Sequence, residues 1–112
     1  MNNDIKPITV EDMQNSLRLD GDIDKSLIQR YIDTSEAYVQ SAVDYSVPLE
    51  TYRKYPQFNT AVALFTEYLY QSRGMVSDSP SKKPFEITAM ILQLKGIIYG
   101  LKSDQNTTAT SD

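Results

Sequence analysis

Apolar residues recur along this chain at steps of three and four, the spacing of helices that bury one face. A first helix is predicted to open at Thr9. Thr9 caps it, and Asp12 at the third helical position completes a capping box in which Asp replaces Glu. Met13 and Leu17 face inward, Leu19 lies just beyond, and Asp20-Gly21-Asp22 reads as a turn. A second helix is predicted over residues 22–45. Leu27, Ile28, Tyr31, Tyr38, Val39, Ala42 and Tyr45 make its apolar face. Lys25, Gln29, Asp33, Glu36, Gln40 and Asp44 make the opposite one. No Gly or Pro interrupts it, and Asp22 or Asp24 suits the positive end of its dipole. Residues 46–55, bracketed by Pro48 and Pro56, have room for one short helical turn. A third helix begins near Pro56, because proline is tolerated at the first helical position. Its main stripe is Phe58, Ala61, Val62, Phe65, Tyr68 and Leu69, with Leu64 and Tyr70 beside it. So dense a stripe predicts the central helix of the fold, ended by Gly74.

The last helix has a different pattern. It is read from Lys83-Pro84-Phe85 to Lys102. Ile87, Met90, Ile91, Leu94, Ile98 and Leu101 form one apolar stripe. Phe85, Ala89, Leu92, Gly96 and Tyr99 form a second on the opposite side. Polar residues keep only two narrow seams, Glu86 with Gln93 and Thr88 with Lys95 and Lys102. A surface helix of a monomer needs one apolar face. A helix with two calls for a second partner, so Phe85, Ala89, Leu92 and Tyr99 are the candidate subunit interface. The Ser-rich residues 74–83 before this helix are expected to be a mobile surface loop. Residues 103–112 have almost nothing to bury and are expected to form a disordered tail. The expectation is an all-α fold: an irregular bundle of about four helices in one domain, residues 1–102, followed by that tail.

Composition narrows the function. With 40% hydrophobic and 23% charged residues in 112, the chain is a soluble globular domain with one modest core. It has no Cys and no His, which removes thiolate and imidazole nucleophiles, bases and metal ligands. A net charge of −4 argues against tight sequence-independent nucleic-acid binding. No apolar run approaches the roughly 18 residues of a membrane span. The N-terminus lacks an apolar signal core, so residence in the cytoplasm is expected. Asp20-Gly21-Asp22-Ile23-Asp24 has the look of a calcium loop, but the sixth and twelfth positions carry Lys25 and Tyr31 instead of Gly and Glu. A turn and helix cap explain it better. Tyr31, Tyr38, Tyr45 and Tyr52 fall seven apart, as in a base-stacking row, yet the second helix supplies only Lys25 and Arg30 as cations. Packing is the better reading. Asp33 and Glu36 are paired carboxylates on a polar helix face, without the cleft that catalysis needs. The four glycines are scattered and form no phosphate loop. No catalytic, cofactor-binding or metal-binding residue is assigned. Lys82 and Lys83, at the end of the loop, are candidate partner contacts.

Three segments together resemble the head–tail connector proteins of tailed bacteriophages, small helical adaptors sometimes labelled as DNA-packaging proteins. The first is Ile8-Thr9-Val10-Glu11-Asp12-Met13 through Leu17-Arg18-Leu19-Asp20, followed by an acidic turn and a long helix containing Ala37-Tyr38-Val39. The second is Ala61-Val62-Ala63-Leu64-Phe65 leading to Tyr70-Gln71-Ser72-Arg73, similar to the family's Tyr-x-x-Arg. The third is Pro84-Phe85 followed by residues 87–95, similar to the family's Pro-Phe start of the last helix. The likeness spans roughly residues 8 to 95 and rests on order and spacing. Gln14 departs from it where Lys is commoner. The resemblance implies a non-catalytic, all-α subunit of a dodecameric ring beneath the portal protein. That ring lengthens the DNA channel, which DNA only passes through, and gives a platform to the next tail-side connector. It implies assembly in the host cytoplasm and then a place at the head–tail junction of the virion, with no membrane and no cofactor. The alternative from another class is a small helical binding module or regulator that docks one partner protein. Stoichiometry separates the two, since a ring former self-associates.

Overall fold

The computed structural model describes residues 5–21, 23–72 and 85–110, with side chains through residue 100. Five helices follow one another: α1 (Val10–Ser16), α2 (Lys25–Val43), α3 (Leu49–Tyr52), α4 (Pro56–Ser72) and α5 (Phe85–Thr110). No strand occurs among the described residues. The fold is the predicted all-α bundle of four substantial helices, and α3 is the single turn for which residues 46–55 had room.

α1 opens with the predicted capping box. The Asp12 amide donates to Thr9 Oγ1 at 3.1 Å, and the Thr9 amide donates to Asp12 Oδ2 at 2.9 Å. Its other end carries no sequence signal. Arg18 takes a left-handed conformation at φ 60, the place usually held by glycine. The Arg18 amide then donates to Asn15 O and the Leu19 amide to Gln14 O, which closes a Schellman motif. Gln14 is buried, and its Nε2 donates to Gly21 O at 3.0 Å and Ile23 O at 3.3 Å. One neutral amide thereby holds the turn into α2.

α2 is shorter than residues 22–45, and its buried face is turned. Asp24 precedes it in a left-handed conformation, and Tyr70 Oη donates to its carboxylate at 2.5 Å. At the far end Asp44 is extended, and its Oδ1 accepts from the Ser46 amide and hydroxyl at 3.0 and 2.6 Å. That local turn competes with the helix and wins. Tyr45, predicted to face inward, therefore lies beyond the helix and is 79% exposed. The buried face is Ile28, Ile32, Ser35, Glu36, Val39 and Val43. Glu36, predicted on the solvated side, is inside. Leu27, Tyr31, Tyr38 and Ala42 sit half-buried along the edge of the same face.

α4 is central, as predicted, packing most extensively on α2 and α5. It buries Phe58, Ala61, Val62, Phe65 and Tyr70, while Tyr68 and Leu69 are half-buried. Where α4 crosses α2, Thr66 Oγ1 donates to Ser35 Oγ at 3.1 Å with both residues fully buried. Two small side chains let the helices approach, and each hydroxyl satisfies the other. Tyr38 and Phe65 pack with tilted rings 4.6 Å apart, and Tyr52 stacks on Phe58 at 5.2 Å. The Tyr row is thus divided: Tyr52 is core, Tyr31 and Tyr38 are edge, Tyr45 is surface.

α5 starts at Phe85 and continues past Lys102, its predicted end, to Thr110. No Gly or Pro follows Gly100 before Thr110 to interrupt the backbone ladder. Residues 103–110 of the expected tail, residues 103–112, fall within those bounds. The loop of residues 74–83, with Gly74, and the last two residues lie outside the described residues. None of the helices, over those residues, is long and apolar enough to cross a membrane.

Candidate subunit interface

The two stripes of α5 have separate fates. Ile87, Ile91, Leu94 and Ile98 are buried and Met90 is half-buried, so this inner stripe completes the core with α4 and α2. On the outer stripe Phe85 is 77% exposed, Leu92 61% and Tyr99 50%, with Ala89 half-buried. The last two of those large side chains flank Gly96. A Cβ built at Gly96 would meet nothing within 4 Å, so the stripe is open to solvent between them. Tyr99 is not loose. Its hydroxyl donates to Val43 O at 3.0 Å and so caps the C-terminus of α2. Tyr52 does the same from beneath, its hydroxyl donating to Asp44 O at 2.7 Å. Burial and the nearby Asp44 carboxylate push the Tyr52 phenol up to about 12.

An exposed apolar stripe of this kind is a candidate contact surface. Its flanks are the predicted seams: Glu86, Thr88 and Gln93 are exposed, and Lys95 is half-buried. The structure therefore places Phe85, Leu92 and Tyr99 together on solvent. Lys82 and Lys83 lie outside the described residues.

Two grooves were not legible in the sequence. The first, about 380 Å³, lies between the segment before α1 and one face of α4. Ile5, Ile8, Pro56, Ala63 and Leu64 wall it, with Lys6, Ser16 and Glu67 at its polar edges. Ser16 Oγ donates to Glu67 Oε2 at 2.8 Å across it. Asn59 also lines it; its Nδ2 donates to Lys6 O at 3.2 Å and Arg53 O at 3.0 Å, while its Oδ1 is buried with no partner. Residues 5–8 are too few to show periodicity, so no pattern signalled that they fold over α4.

The second groove, about 450 Å³, runs between residues 7–11 and α2, with Arg53 at its side. There the Glu36 carboxylate, the helix-face acid, accepts from Arg53 Nε at 2.9 Å and Nη2 at 2.7 Å. The bidentate bond to Glu36 holds the guanidinium above its usual range. Asp33, the other member of the paired carboxylates, is exposed and accepts from Gln29 Nε2 at 3.0 Å. The two acids are thus committed to different structural bonds. Neither has the other as a proton-sharing partner.

The chain matches the model of the phage gp6-like head-tail connector protein family over residues 7–111. No curated protein and no solved structure shows significant similarity to it.

Proposed function

The chain belongs to the phage gp6-like head-tail connector family, and on that premise we propose that its copies form a ring at the base of the head. The family is structural and its place is the head–tail junction of the virion. In our reading the ring, dodecameric in the virion, sits beneath the portal protein, extends the DNA channel and docks the next tail-side connector. DNA passes through without being gripped, no cofactor takes part, and the chain catalyses nothing. Assembly takes place in the host cytoplasm. Lys82 and Lys83 and the end of α5 are the expected contacts to the portal or the tail side.

The observation that carries this reading is the outer stripe of α5. Phe85, Leu92 and Tyr99 leave a large apolar area in water on a helix whose other face already completes the core. Fully burying such side chains is worth roughly 1.5–3 kcal/mol each. A neighbouring subunit realises that gain. Leu92→Asp is the test. Because Leu92 is exposed, the variant is expected to keep its helical circular dichroism and melting temperature and to lose assembly in native mass spectrometry and electron microscopy. Loss of fold and assembly together would mean that the stripe is core. Unchanged assembly would place the subunit contact elsewhere. A module that docks one partner protein, the alternative, would stay monomeric alone and bind that partner one to one.

A further inference from the structure

We propose that the groove between the segment before α1 and α4 is the seat of the outer α5 stripe of a second copy of this chain. The inference rests on the ring reading above and supplies the two surfaces that make its contact.

The chemistry of the two surfaces matches. The groove is walled by Ile5, Ile8, Ala63 and Leu64 and, at about 380 Å³, has space for a few large apolar side chains. The stripe offers Phe85, Leu92 and Tyr99, all at least half-exposed. The groove also holds a polar demand. Asn59 is only 7% exposed, its amide nitrogen is committed to two carbonyls, and its Oδ1 has no donor. A buried acceptor without a partner is costly, and a turn of the Asn59 side chain would bring Oδ1 to an occupant that carries a donor. The stripe is flanked by two exposed donors, Thr88 and Gln93.

Charge sets the direction. Lys6 lies at the Asn59 end of the groove, where its carbonyl meets that side chain, and Glu67 lies toward the other end. Along α4, Asn59 to Glu67 is roughly 12 Å at 1.5 Å per residue. On α5, Glu86 to Lys95 is roughly 13 Å by the same rise. With α5 laid parallel to α4 of the neighbour, Glu86 meets Lys6 and Lys95 meets Glu67. The antiparallel placement sets like charges together.

The same geometry forces the contact to be between copies. The inner stripe of α5 packs on α4 and α2, so the outer stripe is turned away from its own chain's groove. A contact that joins two different surfaces is head-to-tail, and its repetition builds a ring where the rotation closes. Stripe against stripe would instead stop at two copies and leave Asn59 Oδ1 unserved.

The chain contains no cysteine, so introduced thiols report without background. Ala63→Cys and Leu92→Cys are made separately in the full chain, mixed at assembling concentration and treated with a short bis-maleimide that tolerates a register error of one helical turn. Native mass spectrometry follows assembly of each protein independently. Cross-linked dimers in the mixture but in neither variant alone, and a ladder from the double variant, are expected. Cross-linking of Leu92→Cys with itself would overturn the proposal in favour of a two-fold stripe contact. Assembly without the mixed cross-link would overturn the groove and leave the ring reading standing. A chain that stays monomeric, alone and on heads carrying the portal, would overturn both.

Discussion

At Glu36 a carboxylate leaves water and stays satisfied because Arg53 follows it in with two parallel hydrogen bonds. Removing one member of a buried pair typically costs roughly 3–5 kcal/mol, because the other is left buried and alone. The Arg53 side chain is 34% exposed, so water screens part of that loss. Arg53→Ala is expected to lower unfolding stability by about 2–3 kcal/mol in urea denaturation, and Glu36→Gln with Arg53→Met to recover most of it. Tyr52 carries a pH dependence. An unfolded phenol ionises near 10.0 and the folded Tyr52 near 12. Above pH 10 the unfolded chain therefore loses this proton first, and stability falls as pH rises toward 12. Below pH 10 both states keep it and the group contributes no slope. Tyr52→Phe is expected to flatten that alkaline decline, by on the order of 1 kcal/mol, in unfolding curves compared at pH 9 and pH 11. At neutral pH the same variant loses about 1 kcal/mol with the hydrogen bond to Asp44 O.

At the scale of the element, helix ends departed from the pattern more than helix centres did. α1 stops in a left-handed Arg18 where the sequence shows no glycine. The Schellman hydrogen bonds hold Arg18 there against a side-chain clash of about 1–2 kcal/mol. Arg18→Gly relieves that clash and loses some of the gain to unfolded-chain entropy. A net stabilisation of roughly 0.5–1 kcal/mol is expected, read as a rise in the denaturation midpoint at unchanged slope. α2 stops at Val43 because Asp44 and Ser46 bond to each other, and two tyrosine hydroxyls from α3 and α5 take the carbonyls it leaves. Periodicity records which face is apolar. It does not record such competing local bonds.

At the scale of the whole molecule the balance of charge decides how a ring would treat DNA. Each copy carries 11 basic and 15 acidic residues. In the proposed ring a dozen copies would multiply the excess negative charge, and a duplex in the lumen would feel weak repulsion that favours sliding. In a mobility-shift assay at about 0.15 M salt, where screening acts over roughly 8 Å, no retardation of duplex DNA is expected from micromolar protein. Sequence-independent retardation would turn the assignment toward a nucleic-acid-binding factor. The outer α5 stripe belongs to this scale as well. In the single chain it is an exposed patch, and under the proposal above a neighbouring copy covers it.

By itself the sequence determined the helices, the centrality of α4, the capping box at Thr9 and both stripes of α5. Each of these is written in residues close together in the chain, so spacing alone reveals it. Tertiary structure decided the rest. It rotated the buried face of α2 until Ile32, Ser35 and Glu36 lay inside, which requires Thr66 and Arg53 as distant partners. Folding residues 5–8 over α4 created the Asn59 groove. It also determined which neighbours the inner stripe of α5 packs against, a choice that depends on where α2 and α4 stand and that no periodicity within α5 contains.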